Sequence, residues 1–209
     1  DSAHIQEMEV EQLNRRNARR TRKAVETIYT VADALAALKQ FEAHPYGRWF
    51  AVAGGVRARF WNAGHLLGSA SVEVEVPDGG RTTRLLFSGD IGPGNKLLHP
   101  KPQAPSGFDY VVCEATYGDV DRLAATHERR RALLREEVLA AAHPSGTLLI
   151  PSFAVERTQE ILTDLIGLME AGDLPTIPIY IDSPHASKAS VILAAHAREL
   201  ERGGALVRA

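Results

Sequence analysis

Cysteine is nearly missing: Cys113 is the only one in 209 residues. A single thiol closes no internal disulfide and builds no cysteine-ligated zinc cluster, so disulfide-stapled scaffolds and zinc fingers are excluded. A reducing, cytoplasmic setting is expected instead. The chain also lacks any apolar run near the ~20 residues a membrane-spanning helix requires. It has no basic-then-apolar segment of the secretory type. No membrane role is expected. Positive charge is not in surplus either: 24 Lys and Arg face 26 Asp and Glu, for a formal net charge of -2. That balance excludes a uniformly basic nucleic-acid coat and leaves any polyanion to a local patch. Internal repeats and low-complexity tracts are absent as well. What remains, 44% hydrophobic and 24% charged residues, is ordinary globular composition that supports a real core. The chain opens DSAHIQEMEVEQ without a Met and closes ELERGGALVRA without a final strand, which reads as a piece of something longer.

The periodicity changes along the chain. Ser2 to about Arg20 reads as a helix with acids early and bases late, the order its dipole favours. It frays into NRRNARRTRK, Asn14 to Lys23, where six of ten positions are Arg or Lys; this stretch is either a solvated linker or a contact for phosphates. A short helix over Thr30 to Phe41 follows, with Thr30 as N-cap and Asp33 in its first turn. Then come strands: a pair around Gly54-Gly55, a hairpin around Asp78-Gly79-Gly80, and a buried strand in FDYVVCEATYG. Consecutive strands without helices between them predict a largely antiparallel sheet. From His127 onward the order is helix 127–142, strand 147–151, helix 154–171, strand 177–181 and helix 184–201, the alternation of a parallel, doubly wound unit.

Within FWNAGHLLGSASVEVEV, His65 stands in a Gly-His-Leu-Leu-Gly turn at the mouth of a strand. The return strand of the same hairpin ends in Gly89-Asp90-Ile91-Gly92. Both side chains lie at comparable distances from the hairpin turn, so they are expected at one sheet edge. An imidazole and a carboxylate together suit zinc or manganese, although each alone is as readily a turn former. Two ligands do not hold a catalytic metal.

The motifs GHLLGSAS, FSGDIG, CEATYGD and IPSFAVERTQE, in this order, resemble those of the β-CASP subgroup of the metallo-β-lactamase superfamily, nucleases that cut RNA or DNA. The resemblance runs from SAHIQE to IDSPHAS. It implies an α/β (α+β) fold: a metallo-β-lactamase αββα sandwich portion over 1–121, lacking its N-terminal HxHxDH part, then part of a β-CASP α/β domain over 122–209. It implies that His65 is a metal ligand and that Asp90 bridges two zinc ions whose shared water attacks a phosphodiester. By the same resemblance Glu114 is the acid opening the β-CASP region, and single-stranded RNA is the substrate.

Departures bear on the carry-over. No HxHxDH occurs here, and none of His4, His44, His99, His127, His143, His185 or His196 replaces the missing ligands. The fragment alone is therefore expected to be inactive. Glu156 stands where relatives commonly have glycine, and His185 where they often have Met. Ser152, Arg157 and Ser183, at two turns that open helices, are candidate phosphate contacts, with simple helix capping the competing reading. Two other functions compete with the nuclease. A small-ester or thioester hydrolase on the same scaffold has no need of the α/β part after Asp121, whereas a catalytically silent nucleic-acid-binding or scaffold paralogue would be expected to have lost some of the three site residues. Endo- versus exonucleolytic cutting and a homodimer stay open.

Overall fold

The computed structural model describes residues 2–122, 124–142 and 146–201. The chain divides into two compact units, the first ending at His44 and the second beginning at Pro45.

The first unit pairs α1 (Ser2–Arg19) with α2 (Val31–Leu38). Thr30 caps α2 as predicted: its hydroxyl accepts from the Asp33 amide while the Asp33 carboxylate takes the Thr30 amide, a reciprocal capping box. The basic stretch is not a loose linker. α1 ends where Thr21 adopts φ 52, and the chain then runs back along the helix. Asn14 exchanges two hydrogen bonds of 2.8 Å with the Val25 backbone, and the Asn17 amide donates to the Lys23 carbonyl. Gln6 accepts from the Ile28 amide and Glu7 from that of Val31. Within this knuckle Arg15 pairs with Glu11.

The second unit is built on one five-stranded sheet in sequence order: β1 (Trp49–Ala51), β2 (Arg57–Asn62), β3 (Ala70–Asp78), β4 (Arg81–Phe87) and β5 (Tyr110–Val112). The first four are antiparallel as the sequence predicts; β5 is parallel to β4. In β3, Val72, Val74 and Val76 share one face, and Ser71, Glu73 and Glu75 the other. Register sets Arg59 opposite Glu73 and Arg84 opposite Glu75. Glu73 is fully buried. It accepts from Arg59 at 2.7 Å, Arg84 at 2.6 Å and the Trp61 indole at 2.7 Å. The Arg59 guanidinium lies 4.4 Å from the ring centroids of both Trp49 and Trp61.

Burial opposes ionisation of Glu73, but the donors from Arg84, Arg59 and Trp61 outweigh it and hold the carboxyl below its ordinary value of 4.5. A lowered folded pKa contributes stability above the unfolded value, and that stability is lost as pH falls through the folded value. Glu73→Gln should therefore cost about 3 kcal/mol at neutral pH, since it leaves Arg59 without its carboxylate and Arg84 with only Glu75. In denaturant titrations the gap to wild type should narrow as pH drops below 4.5.

Beyond the sheet come α3 (His127–Ala141), α4 (Arg157–Glu170) and α5 (Pro184–Ala195). One small core joins Val138, Leu165, Leu168 and Leu174, with Leu134 and Ile161 against it. A second joins Leu97 and Leu98 to Leu193 and Leu200, with Leu67 packed on it. Three sequence readings need correction. The strand in FDYVVCEATYG forms but is not buried, because β5 is the sheet edge: Tyr110, Val111 and Val112 are 65%, 58% and 57% exposed. Segments 147–151 and 177–181 are not strands; among the described residues they have no ladder partner, and Leu149 and Tyr180 are 84% and 87% exposed. The last helix stops at Ala195 and gives way to a 3-10 turn over Ala197–Glu199.

Candidate functional site

One edge of the sheet collects the end of β2, the start of β3 and the ends of β4 and β5, because β5 runs parallel to β4. His65 is in the β2–β3 connection, Asp90 follows β4, and Glu114 follows β5. His65 Nε2 and Asp90 Oδ2 are 4.0 Å apart, with the side chains 36% and 76% exposed. The predicted convergence is present, and the pair opens to solvent.

Glycine makes the approach feasible. The Gly92 amide donates to the Ala63 carbonyl at 2.8 Å, and a Cβ on Gly92 would lie 1.7 Å from the Gly64 carbonyl oxygen and 2.7 Å from the His65 nitrogen. Gly64 itself takes φ 62, a conformation L side chains disfavour. The Ser69 hydroxyl accepts from the His65 and Leu66 amides at 3.0 and 3.1 Å, closing the turn. The two loops are thus stitched together backbone to backbone.

Glu114 faces the same edge through its neighbours. One carboxylate oxygen accepts from the Ile91 amide at 2.8 Å, the other from the Thr116 amide at 3.1 Å. The Ile91 amide, then the Thr116 hydroxyl and amide, lower its pKa below the usual 4.5, with His65 adding a smaller effect. Glu114 is therefore an ionised staple that anchors the residue after Asp90.

The donor set suits a hard-to-borderline divalent ion: a borderline imidazole nitrogen and a hard carboxylate oxygen, each needing a bond near 2 Å. It supplies two donors of the four a tetrahedral ion requires, and among the described residues no group of three or more His, Cys, Asp or Glu forms a metal cluster.

At the candidate phosphate contacts, the Ser183 hydroxyl caps α5 by accepting from the Ala186 amide at 3.2 Å. The Ser152 hydroxyl hydrogen bonds that of Thr158 at 2.8 Å. Arg157 opens α4 with its guanidinium 3.6 Å from Glu160 and half exposed. Buried Gln159 donates to the carbonyls of Ala154 and Ala186 at 3.1 and 3.2 Å, so the starts of α4 and α5 lie side by side. Capping accounts for Ser183, whose hydroxyl proton is still able to reach an anion, whereas the Ser152 proton goes to Thr158, which gives its own to the Phe153 carbonyl.

The sequence reading missed a buried group next to this edge. Glu156, Lys96 and His99 have side chains 3%, 11% and 4% exposed, and Glu156 pairs with both. Glu156 has φ 66 and ψ -52, and the Arg157 amide donates to the Val155 carbonyl at 2.9 Å. That is a γ-turn of the rare, strained kind, costing about 1–3 kcal/mol for a residue with a Cβ. The legible signal was the glutamate standing where relatives commonly have glycine.

No protein-family model matches the chain. It is 41% identical over 161 residues, 76% of its length, to Ribonuclease TTHA0252 of Thermus thermophilus. It is 34% identical over 158 residues, 74% of its length, to an RNase J-like protein of Methanocaldococcus jannaschii. It is 33% identical over 163 residues, 77% of its length, to Endoribonuclease YSH1 of Yarrowia lipolytica. The matched stretch spans 34%, 36% and 19% of those relatives' own lengths, about a third or less. With a mixed α/β structure and these relatives matched over about three quarters of its length, the chain belongs to the β-CASP subgroup of the metallo-β-lactamase-fold RNA nucleases.

Proposed function

We propose that this chain forms part of a zinc-dependent RNA nuclease that hydrolyses phosphodiester bonds during RNA processing or decay. One juxtaposition supports the reading most: His65 and Asp90 face each other across 4.0 Å at a solvent-open sheet edge, in a chain whose relatives are named as ribonucleases. Residues 1–121 are read as the metallo-β-lactamase-like portion and 122–209 as a partial β-CASP domain.

His65 through Nε2 and Asp90 through its carboxylate would hold the metal. A bound zinc supplies Lewis acidity toward phosphoryl oxygens and an acidified water. The chain's own residues do the rest. Gly64 and Gly92 let the two loops close, ionised Glu114 fixes Ile91 and so the direction of Asp90, and the starts of α4 and α5, with Arg157, offer donors to a phosphate backbone. Because two donors do not complete a zinc site, the 209 residues alone should bind zinc weakly and cut no RNA. A protein that supplies the remaining ligands should cleave RNA, lose activity to a chelator and regain it with zinc. Robust metal-dependent cleavage by the isolated chain would refute the reading.

The basic knuckle extends the reading to binding. Among the described residues, Arg16, Arg19, Arg20, Arg22 and Lys23 form no ion pair with a carboxylate, whereas Arg15 does. Helix-dipole compensation accounts for Arg16 and Arg19, in the last turn of α1, but not for the three cations beyond it. Replacing the five with glutamine should weaken single-stranded RNA binding. It should also flatten the logarithmic salt slope by about 0.7 for every phosphate no longer neutralised. An unchanged slope would leave the knuckle a solvated surface.

A further inference from the structure

Glu156 is buried, charged and held in a strained turn, three features that each oppose folding unless something is gained. Its partners locate the gain. Oε1 accepts the Leu67 amide at 3.0 Å and faces His99 Nε2, while Oε2 accepts from Lys96 Nζ at 2.5 Å. The same Lys96 ammonium donates to the carbonyl of His65. One carboxylate and one ammonium therefore grip the backbone of the His65 turn, the carboxylate at Leu67 from a helix start 89 residues away and the ammonium at His65 from 31 residues away.

A buried ion pair is poor evidence of stability by itself, and glycine at position 156 would relax the turn. A purely structural role for the group would be served as well by an apolar side chain, since Leu67 already packs on the core formed by Leu97 and Leu98. What an apolar side chain does not supply is a pair of charge-assisted, directional bonds to the backbone carrying His65. Functional side chains need such support, because a ligand displaced by about half an ångström is poorly aligned.

We infer that Glu156, acting with Lys96, is a positioning residue for His65: it locks the His65–Leu67 backbone so that the imidazole is aimed at Asp90. It touches neither the ring nor the carboxylate, and it couples the start of α4, where phosphate contacts are proposed, to the metal-facing loop. The metal half of this inference rests on the function proposed above; the grip on the turn does not.

The test uses Glu156→Gly, which removes the carboxylate and relieves the backbone, together with Glu156→Gln and Lys96→Met. In amide hydrogen exchange on the metal-free chain, Leu66 to Ser69 should exchange at least about tenfold faster in Glu156→Gly, relative to amides of β3 and α4 in the same sample. Glu156→Gln, which keeps an acceptor for Leu67, should fall between. In a Zn2+ titration followed through imidazole resonances, the His65 signal should report affinity weakened about 10- to 100-fold, the range for lost support of a metal ligand. The His127 ring, held by Asp164 at 3.0 Å, should be unmoved, which a general loosening would not permit. Unchanged exchange at 66–69 would overturn the inference whatever zinc does. Equal disturbance of His65 and His127 would overturn it too. If wild-type zinc binding does not involve His65, the proposed function fails and takes the metal half with it, while exchange still decides the grip on the turn.

Discussion

Asp90→Ala in a protein carrying the complete site should lower single-turnover RNA cleavage at least about a thousandfold, or ~4 kcal/mol at 1.36 kcal/mol per decade. Its affinity for the same RNA should stay within about threefold of wild type, because the residues proposed to hold phosphate lie on α4, α5 and the basic knuckle. The physical reason is local: Asp90 is the carboxylate that faces His65, whereas Glu114 is held in place by the Ile91 and Thr116 amides, one on each oxygen. Cleavage and binding measured on one labelled oligonucleotide separate the two effects. Loss of both in parallel would point to a folding defect, and undiminished turnover would remove Asp90 from the chemistry.

Gly92→Ala should be nearly as damaging by a different route. The added methyl would sit 1.7 Å from the Gly64 carbonyl oxygen, which no pair of atoms tolerates, and the neighbour is backbone that has no rotamer to change. Relief requires the loops of His65 and Asp90 to separate. We expect destabilisation of about 3 kcal/mol, the upper end for overpacking, rupture of the 2.8 Å bond from Gly92 to Ala63, and no measurable cleavage. Gly94→Ala is the control, since the nearest atom to its Cβ is the Lys101 Cγ at 4.0 Å, an ordinary van der Waals contact. Denaturant midpoints for the two variants test the contrast.

Much of this was legible from the residues. Alternating valines and acids in SVEVEV, followed by Asp-Gly-Gly, dictate a hairpin with one register, and that register brings His65 and Asp90 to a common edge. Thr30 and Asp33 announce their capping box because the bonds are local. Three things were not legible for one shared reason: each depends on partners distant in sequence. The exposure of β5 follows from its place at the sheet edge, the failure of 147–151 and 177–181 to form strands follows from missing ladder neighbours, and the burial of Glu156 follows from Lys96 and His99, some sixty residues earlier. The glutamate within FAVERTQE was visible as an oddity, but no local rule assigns a buried cation to it.

The central claim is that His65 and Asp90 share a metal. It is tested most directly by a zinc-loaded structure of a protein carrying the complete site. The account predicts His65 Nε2 and an Asp90 oxygen each about 2.0–2.2 Å from zinc. Zinc bound elsewhere, with the two side chains on opposite faces of the sheet or both outside coordination range, would contradict it.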